Sequence, residues 1–334
     1  MALGQSRVVV VAAVVVGAVG VLLFAGGNRG TPGVVSRHHG HVSELPAQGL
    51  FVVDTAGAQL VHTVALPAGL GGGDVGGGFG WLADDDGVLQ LNQLTGSPVK
   101  TFPIAGGAAA VVYVGGKLWV KPTTSSSPAT ADVLKVDPQG GGTHAVFVPG
   151  SSDAIYRGGG YVWLRDRRHI DRIDPATGRI RRQLMGPAHP HMPCAATYAD
   201  GALWIADARP NQLLKIDPRS LSVESHTRIP DRGEGEYCVT AGAGKVWVRS
   251  ARGSSIYAFD PQTAHPIGLS LHVGRMHWMT GTDGALWFST AKTPATLRAV
   301  TGDGTPVATV LLPTRPEGFE AFGTLLYASF VRET

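Results

Sequence analysis

The stretch from Gly201 to Asp207, Gly-Ala-Leu-Trp-Ile-Ala-Asp, decides the fold, because versions of it recur from residue 78 almost to the C-terminus. A glycine precedes the tryptophan by three residues in each complete copy. The sequence puts Leu326 in the same slot of a last copy. We call this slot the anchor slot, and six of the seven tryptophans occupy it: Trp81, Trp119, Trp163, Trp204, Trp247 and Trp287.

The spacing of these anchors identifies the repeating unit. Successive anchors are 38 to 44 residues apart, a period typical of four-stranded propeller blades. An Asp-Pro pair follows most anchors, and such a pair forms turns, because proline fixes φ and aspartate accepts hydrogen bonds from nearby amides. We therefore interpret as turn formers, not as catalytic acids, Asp137, Asp174, Asp217 and Asp260. The tryptophans are expected to pack between blades.

The two ends of the repeat region each contain half a blade. Residues 50–64 read as the second half of a repeat, and Gly318 to Val331 read as a first half. Pairing them would close the ring and remove exposed sheet edges. The sequence predicts an all-β fold, a seven-bladed β-propeller of four-stranded antiparallel blades over residues 49–334. Tight hairpins with positive φ are predicted at Asp200-Gly201 and Asp283-Gly284.

The N-terminal region predicts attachment to a membrane. Residues 8–27 form an apolar run long enough to span a bilayer, and we interpret it as an uncleaved signal anchor in preference to a cleaved signal peptide. Residues 1–7 would then be cytoplasmic, and the propeller would lie on the extracytoplasmic side of the cell membrane as part of a single-pass protein. Residues 28–48 read as a flexible tether, whose histidines are more typical of a solvated linker than of a metal site.

Charge and cysteine content limit the further possibilities. A formal charge of +3, with 16% charged residues, does not favour nucleic acid as a partner. Cys194 and Cys238 fall at nearly equivalent places in neighbouring blades. They would form either a disulfide, whose 44-residue loop would stabilise the fold by roughly 3 to 4 kcal/mol, or two buried thiols.

The two halves of the repeat, G-x-L-W followed by L-x-x-[IV]-D-P-x-T-G, resemble a known group from Gly49 to the end of the chain. The group comprises bacterial propellers of the virginiamycin B lyase (streptogramin lyase), NHL and YVTN type. The resemblance implies a propeller, and the group includes lyases, hydrolase-like enzymes, sensor domains and binding scaffolds. The membrane anchor is more similar to the sensor and scaffold members. The lyase uses a divalent metal held by histidine and glutamate, a pattern that no grouping in this sequence matches residue by residue.

The loops that lead into the inner strands of the later blades carry the candidate ligand-binding residues. They are His191, Glu236, Arg275, His277 and Glu317. Imidazole and carboxylate groups converging there would bind a metal or supply a general base; the alternative is that they only line a wet channel mouth. Glu320, and Asp74 in an earlier blade, are further polar residues of such loops.

Two other clusters have more than one interpretation. Residues 84–87, Asp-Asp-Asp-Gly, offer carboxylates for calcium, but an exposed turn is favoured. The third blade contains seven arginines, which form a solvated edge or a face for an acidic partner or anionic lipid: Arg165, Arg167, Arg168, Arg172, Arg179, Arg181 and Arg182.

The sequence therefore predicts a membrane-anchored extracytoplasmic propeller that binds a protein, peptide or envelope ligand as a scaffold or sensor, with no cofactor. The alternative is a metal-dependent lyase or hydrolase of the streptogramin lyase type, using His191, His277 and either Glu236 or Glu317 at the channel mouth. A structural module of an envelope complex is a third possibility.

Overall fold

The computed structural model describes most of the chain between Leu45 and Val331. The described ranges are 45–67, 69–123, 133–148, 154–166, 168–184, 194, 196–207, 211–231, 237–250, 254–274, 276–290 and 294–331, without the side chains of Leu184, His277 and Phe322. The predicted cytoplasmic segment, membrane anchor and most of the tether lie outside these residues. Within them, no helix has the length and apolarity needed to cross a membrane.

The described residues form 28 strands in seven four-stranded antiparallel sheets, one per blade. Blades 1 to 6 follow in chain order, and blade 7 combines the two ends of the chain. The strands are β1 (Gln48–Asp54) and β2 (Gln59–Ala65) of blade 7; β3 (Gly73–Gly76), β4 (Phe79–Asp84), β5 (Gly87–Asn92) and β6 (Pro98–Pro103) of blade 1; β7 (Ala108–Val114), β8 (Lys117–Pro122), β9 (Val133–Val136) and β10 (Thr143–Val146) of blade 2; β11 (Ala154–Gly158), β12 (Tyr161–Arg165), β13 (His169–Ile173) and β14 (Ile180–Leu184) of blade 3; β15 (Ala196–Ala199), β16 (Ala202–Asp207), β17 (Gln212–Ile216) and β18 (Val223–Arg228) of blade 4; β19 (Cys238–Gly242), β20 (Lys245–Arg249), β21 (Ser255–Phe259) and β22 (Pro266–His272) of blade 5; β23 (Met276–Gly281), β24 (Leu286–Thr290), β25 (Thr296–Val300) and β26 (Pro306–Leu311) of blade 6; and β27 (Gly318–Phe322) and β28 (Leu325–Val331) of blade 7.

Blade 7 closes the ring as the sequence predicts. Its strand order is β2-β1-β28-β27, and β1 pairs antiparallel with β28 from Gln48↔Val331 to Asp54↔Leu325. The predicted seven-bladed fold is confirmed. Because the first and last strands belong to one sheet, the ring has no open edge at the junction of the chain ends.

The core consists of seven clusters, one between each pair of neighbouring blades. All six anchor tryptophans have side chains that are at most 2% exposed. Trp204 of blade 4, for example, packs against Val246 and Val248 of blade 5. The tryptophans thus hold blades together by burying large flat surfaces.

The last anchor is Tyr327, and the assignment of Leu326 was wrong by one residue. In blade 3 the anchor Trp163 pairs with Arg172, two residues before the turn aspartate Asp174. In blade 7 the equivalent residue is Val52, two residues before Asp54, and it pairs with Tyr327. The shift arises because Gly323 is the first residue of its turn, which follows the Phe322↔Leu325 pair. Leu326 therefore faces blade 6, whereas Tyr327 packs towards blade 1.

The turn aspartates act as predicted. The Asp174 carboxylate accepts hydrogen bonds from the amides of Ala176 (2.9 Å) and Thr177 (3.0 Å). The Thr177 amide bond is the largest cause that lowers the pKa of Asp174. The other three corners have the same pattern and likewise a lowered pKa: Asp137, Asp217 and Asp260.

Only one of the two predicted tight hairpins has positive φ. Asp200 (φ 49°) and Gly201 (φ 77°) form the two-residue loop between β15 and β16. The prediction was wrong for Gly284, whose φ is not positive. The pairing Gly281↔Leu286 leaves a four-residue loop there, which relaxes the constraint on φ.

Candidate functional site

The inner strands of all seven blades surround a central cavity of about 670 Å³. Its walls extend from the starts of these strands, where Gly71, Cys194 and Glu317 lie, down to the level of the anchor slots. We call this cavity the channel. Most of its wall consists of glycine, aliphatic and aromatic residues, so the charged and hydroxyl side chains in it determine what it can hold.

The blade repeat places one residue from each inner strand at the same depth of the channel. Each of these residues pairs with the anchor slot of its own blade, seven positions further along the chain, and each lines the cavity. We call this set the channel ring; its members are Asp74, Val112, Tyr156, Thr197, Thr240, Thr280 and Glu320. The ring combines two carboxyl groups, four hydroxyl groups and one valine.

Asp74 holds an arginine at the ring. Its side chain is only 9% exposed, and its carboxylate lies 2.8 Å from the Nε of Arg157, the residue after the ring tyrosine of blade 3. The amides of Val75 (2.7 Å) and Tyr113 (2.8 Å) donate hydrogen bonds to the same carboxylate. Burial raises the pKa of Asp74 to about 6, against the opposing effect of the Arg157 charge.

Glu320 is the second carboxyl group of the ring. Water in the channel reaches its side chain, yet protein surrounds it on every side because it lies inside the ring of blades. This surrounding protein raises the pKa of Glu320 to about 7, and the nearby Asp74 charge acts in the same direction. The Arg157 charge partly opposes this increase, and the neighbouring Thr280 hydroxyl does so to a smaller extent.

Most of the predicted ligand-binding residues lie outside the described structure. These are His191, Glu236 and Arg275, together with the side chain of His277, whose backbone belongs to β23. Glu317 is described: it lines the mouth of the channel, is half exposed and lies 3.2 Å from Arg315. The predicted convergence of His191, Glu236, His277 and Glu317 therefore stays a prediction, as does the role of Arg275.

The described residues contain no group of three or more His, Cys, Asp or Glu side chains placed to hold a metal ion. In the predicted calcium candidate, Asp84 is buried, and its Oδ1 accepts from the amides of Asp86 (3.0 Å) and Gly87 (2.7 Å). This aspartate thus forms a turn, as favoured from the sequence, although it is buried and not exposed.

Several arginines of blade 3 make contacts within the fold. Arg182 pairs with Asp171 through two bonds of 2.7 and 2.6 Å. Arg172 lies over the ring of Tyr161 and donates to the carbonyl of Arg219 in blade 4 (2.9 Å). Exposed arginines remain at positions 168, 179 and 181, so part of the predicted solvated edge is present.

A disulfide joins Cys194 and Cys238 at the mouth of the channel, with their Cα atoms 4.8 Å apart. The carbonyl of Cys194 also accepts a hydrogen bond from the amide of Val239 (2.7 Å). These two links connect the starts of the inner strands of blades 4 and 5. They fix the local width of the mouth, where a ligand would enter.

Sequence reasoning noted Asp74 and Glu320 separately but did not connect them, and it missed Arg157. Counting back seven residues from each anchor would have found the ring. The count fails in blade 7 when Leu326 is taken as the anchor, because it then gives Phe319 and not Glu320. The contact between Arg157 and Asp74 has no sequence signal, since it joins blades 1 and 3 across blade 2.

No known protein family and no curated protein matches the sequence. Among solved structures, the chain is similar to BamB from Moraxella catarrhalis, with a TM-score of 0.56 and 15% identity over 84% of this chain and 91% of BamB. It is also similar to the computationally designed protein Ika8, with a TM-score of 0.54 and 10% identity over 80% of this chain and 99% of Ika8. At such identities the likeness supports the fold alone, and membership of the virginiamycin B lyase, NHL and YVTN group stays a prediction.

Proposed function

We propose that this chain is a membrane-anchored, extracytoplasmic binding module whose ligand, a protein segment, peptide or other envelope molecule, enters the channel. One observation carries the proposal: the channel is lined by every blade and contains a small set of charged and hydroxyl groups at one depth. Ligand sites are typically concave and mostly apolar, with a few convergent polar groups, and have volumes of roughly 300 to 1,000 Å³. The channel has these properties.

The membrane anchor in this proposal rests on the apolar run at residues 8–27. A span of about 20 apolar residues suffices to cross a bilayer. The anchor and the tether that follows it would hold the propeller close to the outer face of the membrane, where envelope molecules are concentrated.

A test of the proposal compares an open channel with a blocked one. The full-length protein is incubated with an envelope extract and washed, and the molecules released on denaturation are identified by mass spectrometry. Thr240→Trp puts a bulky side chain into the channel ring; Thr309→Trp, on the exposed outer strand of blade 6, is the matched control. We expect a species that wild type and Thr309→Trp retain and that Thr240→Trp loses. Retention of the same molecules by all three proteins would contradict the proposal.

A metal-dependent lyase or hydrolase is the second candidate, and one observation favours it. The ring carries a carboxyl group, Glu320, whose pKa of about 7 suits a general acid or base at neutral pH. Calorimetric titration with magnesium, calcium, manganese and zinc tests whether the protein binds a metal ion. Micromolar binding that the double variant His191→Ala, His277→Ala loses would favour the enzyme; binding that this variant keeps, or no binding, would contradict it.

A further inference from the structure

The ligand chemistry of the proposed binding module follows from two groups of opposite charge in the wall of the channel. One is a guanidinium on the blade 3 side and the other is a carboxylate on the blade 7 side. Some charges near the ring are already paired within the protein.

The Asp74 carboxylate already has three hydrogen-bond or ion-pair partners within the protein. It accepts from two backbone amides and lies 2.8 Å from the Arg157 Nε. Because three donors surround this nearly buried group, it has little capacity left for a ligand. Its role is to fix the direction of the Arg157 side chain.

Arg157 has hydrogen-bond donors that Asp74 does not use. Its Nε faces Asp74, and no hydrogen bond joins its two Nη groups to a residue that the structure describes. The side chain is 50% exposed, although it lines the channel. A guanidinium held through Nε presents its two Nη groups as a fork, the geometry suited to a carboxylate.

Glu320 offers the opposite charge. Among the described residues, no lysine or arginine nitrogen lies within ion-pair distance of its carboxylate; the Arg157 charge acts on it from farther away, and the Thr280 hydroxyl is a polar neighbour. Two more threonines, Thr197 and Thr240, continue the ring on the next two blades. A carboxylate followed by hydroxyl oxygens suits an ammonium group, which has three N–H donors to satisfy.

The two groups together select against ligands of a single charge. Arg157 repels a simple cation, and Glu320 in its ionised form repels a simple anion. A ligand with one charge is therefore attracted by one group and repelled by the other. Outside the ring, Glu317 is already paired with Arg315 at the mouth. Lys121 of blade 2 also lines the channel, paired with Ala110 two residues before the ring, and adds one positive charge there. A molecule with both charges is attracted by both Arg157 and Glu320.

We propose that the channel binds a small zwitterion, a free amino acid or a dipeptide, whose carboxylate meets the Nη groups of Arg157 and whose ammonium group meets Glu320 and the ring threonines. This inference rests on the proposed binding function and specifies its ligand class. The channel volume of about 670 Å³ accommodates a ligand of this size together with water.

The test uses the full-length protein and three related sets of probes in calorimetric titrations. The first set comprises the free amino acids and the dipeptides alanylalanine, leucylalanine and alanylphenylalanine. The second set has acetylated amino groups, and the third set has amidated carboxyl groups. We expect at least one free probe to bind, with an affinity at least tenfold higher than that of either blocked form. No binding by any free probe, or equal binding by the blocked forms, would overturn the proposal.

Charge-removing variants assign the two contacts. Glu320→Gln and Arg157→Gln should each weaken binding of the free probe at least tenfold, because each removes a charge-assisted hydrogen bond. Glu224→Gln and Arg298→Gln, at exposed positions on blades 4 and 6, are matched controls with unchanged affinity expected. Unchanged affinity in both channel variants would overturn the proposal. Should Arg157→Gln fail to fold, the comparison of free and blocked probes on wild type decides alone.

The experiments distinguish a wrong ligand class from a wrong binding function. If the open channel retains an envelope molecule that Thr240→Trp loses, but that molecule is not a zwitterion, the ligand class is wrong and the binding function stands. If no molecule distinguishes the open channel from the blocked one, the binding function fails as well.

Discussion

Replacing Asp74 with asparagine tests the electrostatics of the channel ring. The Asp74 carboxylate is almost completely buried, and burial outweighs the attraction of Arg157, so its pKa is raised from 3.8 to about 6. Most aspartates in ion pairs have a lowered pKa. The direction of the pH dependence therefore distinguishes a burial-dominated site from an ordinary surface ion pair.

The size of the expected change in stability follows from the pKa shift of Asp74. A raised pKa means that the folded state binds the proton more tightly than the unfolded state does. The stability that the proton on Asp74 contributes is fully present below pH 3.8 and is lost as the pH rises through about 6. A shift of about 2 units at about 1.4 kcal/mol per unit gives about 3 kcal/mol. The asparagine side chain of the variant cannot titrate, so the free energy of unfolding of wild type should fall by about this amount relative to Asp74→Asn between pH 4 and pH 7.

Urea unfolding of both proteins from pH 4 to pH 8 provides the measurement. Glu320 titrates in the same range and is coupled to Asp74, so the comparison is made in a Glu320→Gln background. Asp303→Asn is the control: Asp303 is an exposed turn residue whose pKa lies below 3.8, so its charge is already present at pH 4 and the stability difference between wild type and this variant should change little from pH 4 to pH 8. Parallel curves for Asp74→Asn and wild type, or a difference that grows in favour of wild type with pH, would refute the reasoning.

Three further predictions concern the anchors, the disulfide and the membrane segment. Trp204→Phe should destabilise the protein by about 1 kcal/mol more than Trp287→Phe does. The Trp204 Nε1 donates to a backbone carbonyl (3.1 Å), whereas the equally buried Trp287 Nε1 has no partner among the described residues. Thermal unfolding of both variants checks this, and equal losses of stability would contradict it. The double variant Cys194→Ser, Cys238→Ser should lose roughly 3 to 4 kcal/mol of stability, measured by urea unfolding, whereas no loss would show that the 44-residue loop contributes nothing. Deletion of residues 1–27 should move the protein from the membrane fraction to the soluble fraction, and continued pelleting with membranes would contradict the predicted anchor.

The sequence predicted the fold because the blade repeat is recorded in local patterns. Each hairpin glycine and each turn aspartate acts within a few residues, and each anchor tryptophan marks a fixed position relative to them. Periodicity then gives the number of blades, and the two half-blades at the ends give the closure. Blade 7 has no tryptophan, so its register could be recovered only from the pairing of β1 with β28.

The small error in blade 7 affected the candidate site. With Leu326 as the anchor, Glu320 was out of register with the other ring residues. The structure corrects the register by one residue, and Glu320 then lies at the same depth as Asp74. A single turn that begins with its glycine was enough to hide one of the two ring carboxyl groups.

The contact of Arg157 with Asp74 could not be predicted from local patterns. It depends on the diameter of the closed ring, which allows a long side chain from blade 3 to reach blade 1. The raised pKa of Asp74 likewise depends on burial by neighbouring blades and not on its sequence neighbours. Contacts across a channel depend on the assembled ring, whereas turns and anchors depend on single blades.

An experimental structure of the full-length protein with its retained ligand tests the central claim most directly. The account predicts ligand density inside the channel, with an anionic group about 3 Å from the Nη atoms of Arg157 and a cationic group at the same distance from the Glu320 carboxylate. Ligand density on the outer face of the propeller, with the channel ring contacting only water, would contradict it.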